Sequence, residues 1–176
     1  SAKMIEAGNE LKLVAENRGY QFYSFEEAVR FAGNEGTIKV VNDFELAEVW
    51  TVAEGQNITL DLNGKTLSTA YVAGSTTNHL YAIQNNAELT ITDSSDAKEG
   101  KISARGNFNY GTLTLEAGTI EAIDGNGGYA VRNYAGSFTM NGGTIATTLE
   151  DDNKVDKGGY DATTVRVDEG ATFTMN

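Results

Sequence analysis

The sequence predicts an all-β fold: a right-handed parallel β-helix with three strands per turn and an amphipathic helix capping its N-terminal end. Three observations carry this. Asn85, Asn109 and Asn133 recur 24 residues apart, each opening a similar phrase. Short apolar–polar–apolar triplets are each followed by a glycine corner and a second short strand. The chain also holds 20 glycines and no proline, which suits a backbone whose amides nearly all enter strand ladders. A fixed period in the twenties marks stacked units whose like side chains pile into one core.

Taken in order, residues 9–23 alternate loosely through Leu11, Leu13, Tyr20 and Phe22, broken at Asn17-Arg18-Gly19, and read as a short hairpin or two edge strands. Ser24 and Glu27 then form a capping-box pattern, and Phe25, Ala28, Val29 and Ala32 line one helical face. This helix is expected to stop near Gly33 or Gly36 and to lie across the open end of the first coil, hiding unpaired strand groups. Residues 1–36 are thus assigned to edge strands and cap, and residues 37–176 to the coils of one structural domain.

The coils begin with strands at Thr37–Val41 and Glu48–Val52, then a bent pair over Asn57–Leu67 turning at Asn63-Gly64. Leu89-Thr90-Ile91 is matched with Gly100-Lys101-Ile102, Leu113-Thr114-Leu115 with Gly118-Thr119-Ile120, and Phe138-Thr139-Met140 with Gly143-Thr144-Ile145. A third strand per turn is expected at Tyr81-Ala82-Ile83, Tyr129-Ala130-Val131 and Thr164–Val167. Leu, Ile, Val and Phe would stack on their equivalents over about five turns. Asn85, Asn109 and Asn133 would form a side-chain amide ladder at one corner. Phe173-Thr174-Met175-Asn176 repeats Phe138-Thr139-Met140-Asn141 letter for letter. The expectation is a piece of a longer polypeptide, truncated in mid-turn, whose uncapped last coil invites end-to-end self-association.

From Tyr23 to Leu67, the phrases Ser-Phe-Glu-Glu-Ala-Val, Gly-Thr-Ile-Lys-Val-Val-Asn-Asp and Asn-Ile-Thr-Leu-Asp-Leu-Asn-Gly-Lys-Thr-Leu carry a family resemblance. The stretch resembles the pectate-lyase-like, right-handed β-helix repeat regions of large surface proteins in Gram-positive and gut bacteria, and similar stretches occur in phage tail proteins. The resemblance spans roughly residues 20–176 and implies architecture and an extracellular or cell-surface setting. It does not carry over an active site. Pectate lyases use clustered aspartates for calcium and a basic residue for proton abstraction, and Arg105, Arg132 and Arg166 have no acidic cluster at a fixed offset.

Composition narrows the partners. A formal net charge of −12 argues against nucleic acid and anionic membrane, both of which select for Lys/Arg patches. No stretch approaches the roughly 20 apolar residues of a membrane span. Without cysteine there is no disulfide framework and no thiolate chemistry. The opening Ser1-Ala2-Lys3 reads as a cloning junction, so a leader is not legible.

Insertions at Thr69–Leu80, Ile123–Gly128 and Thr147–Asp161 fall between the second and third strands and should project from one side. Loops on a rigid scaffold are where binding concentrates, and tyrosines among Asp and Asn suit sugar hydroxyls. The candidate ligand residues are Tyr71, His79, Asp124, Asn126, Tyr129 and Tyr160. Solvated decoration is the competing reading. Asp151, Asp152 and Asp156 have the oxygen chemistry that Ca²⁺ takes, but EF-hand spacing is missing, so no cofactor is expected and a Ca²⁺ site there is the weaker alternative. An outward file through Thr90/Thr92, Thr112/Thr114, Ser137/Thr139 and Thr172/Thr174 has the look of an ice-binding array. Asp61 interrupts it, Glu88 and Glu116 flank it, and threonine suits an exposed strand for its β-branch alone.

The expected role is a non-catalytic module of a bacterial surface protein, an adhesin or stalk, binding a glycan or a host or cell-surface protein on its loop side. The alternative is a fragment of a polysaccharide-active enzyme, a lyase or glycoside hydrolase. The lone histidine and the pairs Asp93/Asp96 and Asp151/Asp152 give that alternative no defined geometry.

Overall fold

The computed structural model describes residues 11–74, 79–123, 128–148 and 163–176. It is mostly strand, arranged as stacked parallel sheets consistent with a parallel β-helix. The first sheet stacks β3 (Glu35–Val40), β6 (Asn57–Asp61), β9 (Glu88–Thr92), β12 (Thr112–Leu115), β15 (Ser137–Met140) and β18 (Thr172–Met175). The second holds β4 (Phe44–Leu46), β7 (Thr66–Thr69), β10 (Lys101–Ala104), β13 (Thr119–Ala122) and β16 (Thr144–Thr147). The third holds β5 (Trp50–Val52), β8 (Ile83–Asn85), β11 (Gly106–Asn109), β14 (Tyr129–Asn133) and β17 (Thr163–Val167). Parallel neighbours in each sheet stand three strands apart along the chain, so these ladders are long-range pairings.

Register explains the core. Ile58, Leu89, Leu113, Phe138 and Phe173 form one column, residue over residue. Leu67, Ile102, Ile120 and Ile145 form another in the second sheet. Leu89, Leu113 and Phe138 are buried at 2%, 3% and 0% exposure, so the sequence triplets do place like over like. Because strand side chains alternate, the same register aligns an outward file of Thr37, Thr59, Thr90, Thr114, Thr139 and Thr174.

The N-terminal segment follows its local signals. β1 (Ala15–Asn17) and β2 (Tyr20–Phe22) pair antiparallel about Arg18 and Gly19, whose φ values of 51° and 79° make the tight hairpin turn that Gly favours. β1 then pairs antiparallel with β3, extending the first sheet. The helix α1 (Phe25–Ala32) starts at Ser24, whose Oγ accepts the Glu27 N–H at 3.4 Å, and ends at Gly33. It buries Phe25, Ala28 and Ala32 and packs on β1, β2 and β3.

Some strand assignments need correction. The strand expected from Tyr81 begins at Ile83, and β5 begins at Trp50, not Glu48. β4 and β11 carry no strand pattern that the sequence reading caught. Gly106-Asn107-Phe108-Asn109 has turn composition, yet it pairs with β8 on one side and β14 on the other. Ladder pairing overrides local preference there.

Candidate functional site

The long connections β7–β8, β13–β14 and β16–β17 all run from the second sheet to the third, so they share one corner, as the insertion register requires. At the same corner β10 passes to β11 through Arg105 alone. Of the residues named on these connections, Asp124, Asn126, Tyr160, Asp151, Asp152 and Asp156 lie outside the described residues. Tyr71 and His79 are brought together: they form an antiparallel bridge, and their rings meet edge to face at 5.4 Å. Tyr71 is 60% exposed. Tyr129 is largely buried and begins β14.

The larger assembly of ligand-type side chains lies just past this corner, on the outward side of the third sheet. Asn85, Asn109 and Asn133 point inward, so the residues before them point outward. Register therefore aligns Gln84, Phe108, Arg132 and Arg166 in an outward file. Tyr81, just before β8, packs on Phe108 with ring centroids 4.0 Å apart, and Phe108 meets Tyr134 at 5.6 Å. Tyr110 and Tyr134 follow the ladder asparagines of consecutive turns and stack in parallel, 4.8 Å apart and 1° from coplanar.

Three guanidinium groups sit among these rings. Arg105 lies 4.7 Å from the Tyr81 centroid, and Arg132 lies 4.0 Å from that of Tyr134. Arg166 stands 5.7 Å from the Tyr129 ring, and its Nη1 donates to the Tyr129 hydroxyl at 3.2 Å. Asp168 ties two of the arginines together. Its Oδ2 accepts Arg132 Nε and Nη2 at 3.2 and 3.1 Å, and its Oδ1 accepts Arg166 Nε at 2.8 Å. Cation–π contact and the shared carboxylate thus fix long side chains that would otherwise be mobile.

Electrostatics leave this face ready for polar ligands. The hydrogen bonds from Arg166, and then from Arg132, hold the Asp168 carboxyl below its ordinary value, and the same bond raises Arg166. Burial pushes up the phenol of Tyr81, against the opposing charge of Arg105, and burial also pushes up that of Tyr110. Both hydroxyls therefore stay protonated near neutral pH, as donors and acceptors. Tyr110 is 43% exposed, and the Arg166 side chain is 47% exposed. Rings, phenols and guanidinium donors are open to solvent on a rigid surface.

Sequence reading found Tyr129 and missed Tyr81, Phe108, Tyr110, Arg132, Tyr134, Arg166 and Asp168 as a group. One signal was visible: Asn-Tyr recurs at Asn109-Tyr110 and Asn133-Tyr134 with the period of the repeat. Among the described residues no group of three or more His, Asp or Glu is placed to share a metal ion. Compared with protein-family models, curated proteins and solved structures, the chain matches none of them.

Proposed function

We propose that the chain is a right-handed β-helix of three strands per turn, capped by α1, and that it binds a glycan on the outer face of β8, β11, β14 and β17. It serves as a non-catalytic, extracellular module of a bacterial surface protein. The observation that carries the reading is the stack of Arg132 on Tyr134 on Tyr110, with Asp168 pinning the guanidinium. Aromatic surface takes the C–H faces and edges of a sugar, while guanidinium, carboxylate and phenol groups exchange hydrogen bonds with its hydroxyls. Side chains held before binding lose little entropy when the ligand arrives. Tyr71 and His79, on the insertion at the neighbouring corner, extend the surface a ligand could touch.

A glycan array probed with the whole chain and with a Tyr110→Ala/Arg166→Ala variant tests this. Binding of a defined glycan set by the unaltered chain, lost in the variant, supports it; silence of the unaltered chain across the array removes it. Release of reducing or unsaturated ends from bound polysaccharide would instead favour the enzyme class.

A further inference from the structure

A second surface lies at the opposite end of the stack from β18. The first sheet is extended there by β1 and β2, but β4 and β5 are the terminal strands of their sheets. In a parallel strand the N–H and C=O of one residue face the same neighbour, and the next residue faces the other way. Leu46 O accepts the Ala70 N–H at 3.0 Å, Trp50 N–H donates to Ala82 O at 2.8 Å, and Val52 O accepts the Asn86 N–H at 2.9 Å. Alternation therefore turns the backbone groups of Glu45 and Thr51 toward the edge where no described strand lies.

That edge borders a cleft of about 630 Å³ between α1 and the segment Phe44–Thr51. Its aromatic wall is Phe25, stacked on Phe44 at 5.0 Å and met edge-on by Trp50 at 5.0 Å. Trp50 keeps its indole N–H buried with no acceptor among the described residues. The charged groups lining the cleft are Glu26, Glu45 and Glu48 against Arg30, an acidic excess around an apolar wall. Such a surface has backbone to pair, an apolar wall to cover and negative charge to neutralise.

We propose that this cleft is a β-augmentation site for an extended, basic peptide segment. The peptide adds a strand to the edge at Glu45 and Thr51, unpaired among the described residues, lays an apolar side chain on Phe25, Phe44 and Trp50, and sets Lys or Arg against Glu26, Glu45 and Glu48. Charge decides against a second copy of this chain as occupant, because two molecules of net charge −12 repel. The cleft is lined by different residues from those of the aromatic face, so its occupancy does not depend on glycan binding there.

The chain has one tryptophan, so its single indole N–H resonance reports on the cleft directly. Whole ¹⁵N-labelled chain is titrated with the peptide acetyl-Lys-Leu-Lys-Val-Lys-Leu-Lys-amide, with its Glu-for-Lys counterpart, and with a version N-methylated at alternate amides. The expected result is a saturable shift of the Trp50 indole and the β4–β5 amides with the basic peptide alone. A Glu45→Lys/Glu48→Lys variant, changed only at exposed positions, should bind it at least tenfold more weakly while keeping its circular dichroism spectrum. The proposal is overturned by absence of a saturable shift, by equal binding of the acidic or the N-methylated peptide, or by unchanged affinity in the double variant.

Discussion

Tyr110 and Tyr134 stand one above the other across successive turns, and Arg132 lies against Tyr134. Their positions are equivalent in the stack: Tyr110 N–H donates to Asn85 O at 2.8 Å, and Tyr134 N–H donates to Asn109 O at 2.9 Å. The corresponding place in the preceding turn is Asn86, and in the following turn it is Asp168. The tyrosine pair thus has an amide neighbour before it and a carboxylate after it, in one column parallel to the stacking direction.

Replacing Tyr110 by Ala should separate binding from folding. An aromatic pair contributes about 0.5–1.5 kcal/mol beyond its area burial, and Tyr110 is half exposed, so the loss of stability should stay near about 1 kcal/mol. Glycan affinity should fall at least tenfold, because the ring at the edge of the stack is gone. Thermal melts alongside isothermal titration with the glycan found on the array check both halves. Equal loss of affinity and fold would assign the ring to structure alone.

Asn109 should be among the residues least tolerant of change. It is fully buried, its Oδ1 accepts the Asn85 amide at 2.8 Å, and its Nδ2 lies within 3.0 Å of Asn133 Oδ1, Ser137 O and Gly111 O. Asn109→Ala leaves several of these groups without partners inside the core, at about 1–3 kcal/mol for each buried unsatisfied group. A loss of about 3 kcal/mol or more in urea melts is expected. Asn109→Asp should be worse at neutral pH than at pH 4, since an ionised carboxylate there faces three carbonyl oxygens and can donate to none of them.

That ladder was legible in the sequence because identical residues at a fixed spacing declare both the period and the contact. The apolar columns were legible for the same reason, as was α1 through Ser24 and Glu27. The outer face of the third sheet was not. Its file runs Gln84, Phe108, Arg132, Arg166, where only the last two are alike and a long insertion takes them off the 24-residue period, so no periodicity betrays it. β11 was hidden as well, since Gly106 and two asparagines have turn chemistry and only pairing on both edges makes them a strand. Asp168 lies 36 residues from Arg132, beyond the repeat spacing, because a long insertion intervenes. Repetition reveals the scaffold and, through Tyr110 and Tyr134, one pair of the ligand-type residues; the others stand off the period or change from turn to turn.

Asp93 should give the fold an acid-sensitive joint. Its Oδ1 accepts the N–H groups of Gly64 and Ser95, each at 2.9 Å, and the Ser95 hydroxyl at 2.6 Å, while Oδ2 accepts the Gly100 N–H. Burial pushes its pKa up, but these bonds together outweigh burial and hold it below 3.8. A carboxyl with a lowered folded value stabilises the fold above the unfolded pKa, and that contribution is lost as pH falls through the folded one. Melting temperature should therefore drop as pH falls from about 4 toward 2. Asp93→Asn should flatten this acid limb and cost about 1–3 kcal/mol at pH 7, since an amide cannot accept from all four donors. An unchanged acid limb in the variant would place the sensitivity elsewhere.

Gly136 should tolerate no side chain, while the equivalent position two turns earlier already carries one. Ser137 N–H donates to Gly111 O at 2.9 Å, and Thr112 N–H donates to Ala87 O at 2.8 Å, which makes Ala87, Gly111 and Gly136 successive members of one corner. A Cβ at Gly136 would overlap the Gly111 carbonyl oxygen, the acceptor of that ladder bond, and a Cβ at Gly111 would overlap Ala87 O in the same way. Neither backbone oxygen can move without breaking its bond, so the rungs must part. Gly136→Ala is expected to cost about 2–3 kcal/mol, at the upper end of overpacking substitutions. Ala87→Gly should cost about 1 kcal/mol, through backbone entropy and the loss of a half-buried methyl packed on the core. Denaturant melts of the two variants give the comparison, and a tolerated Gly136→Ala would mean that the corner is looser than its carbonyl contacts require.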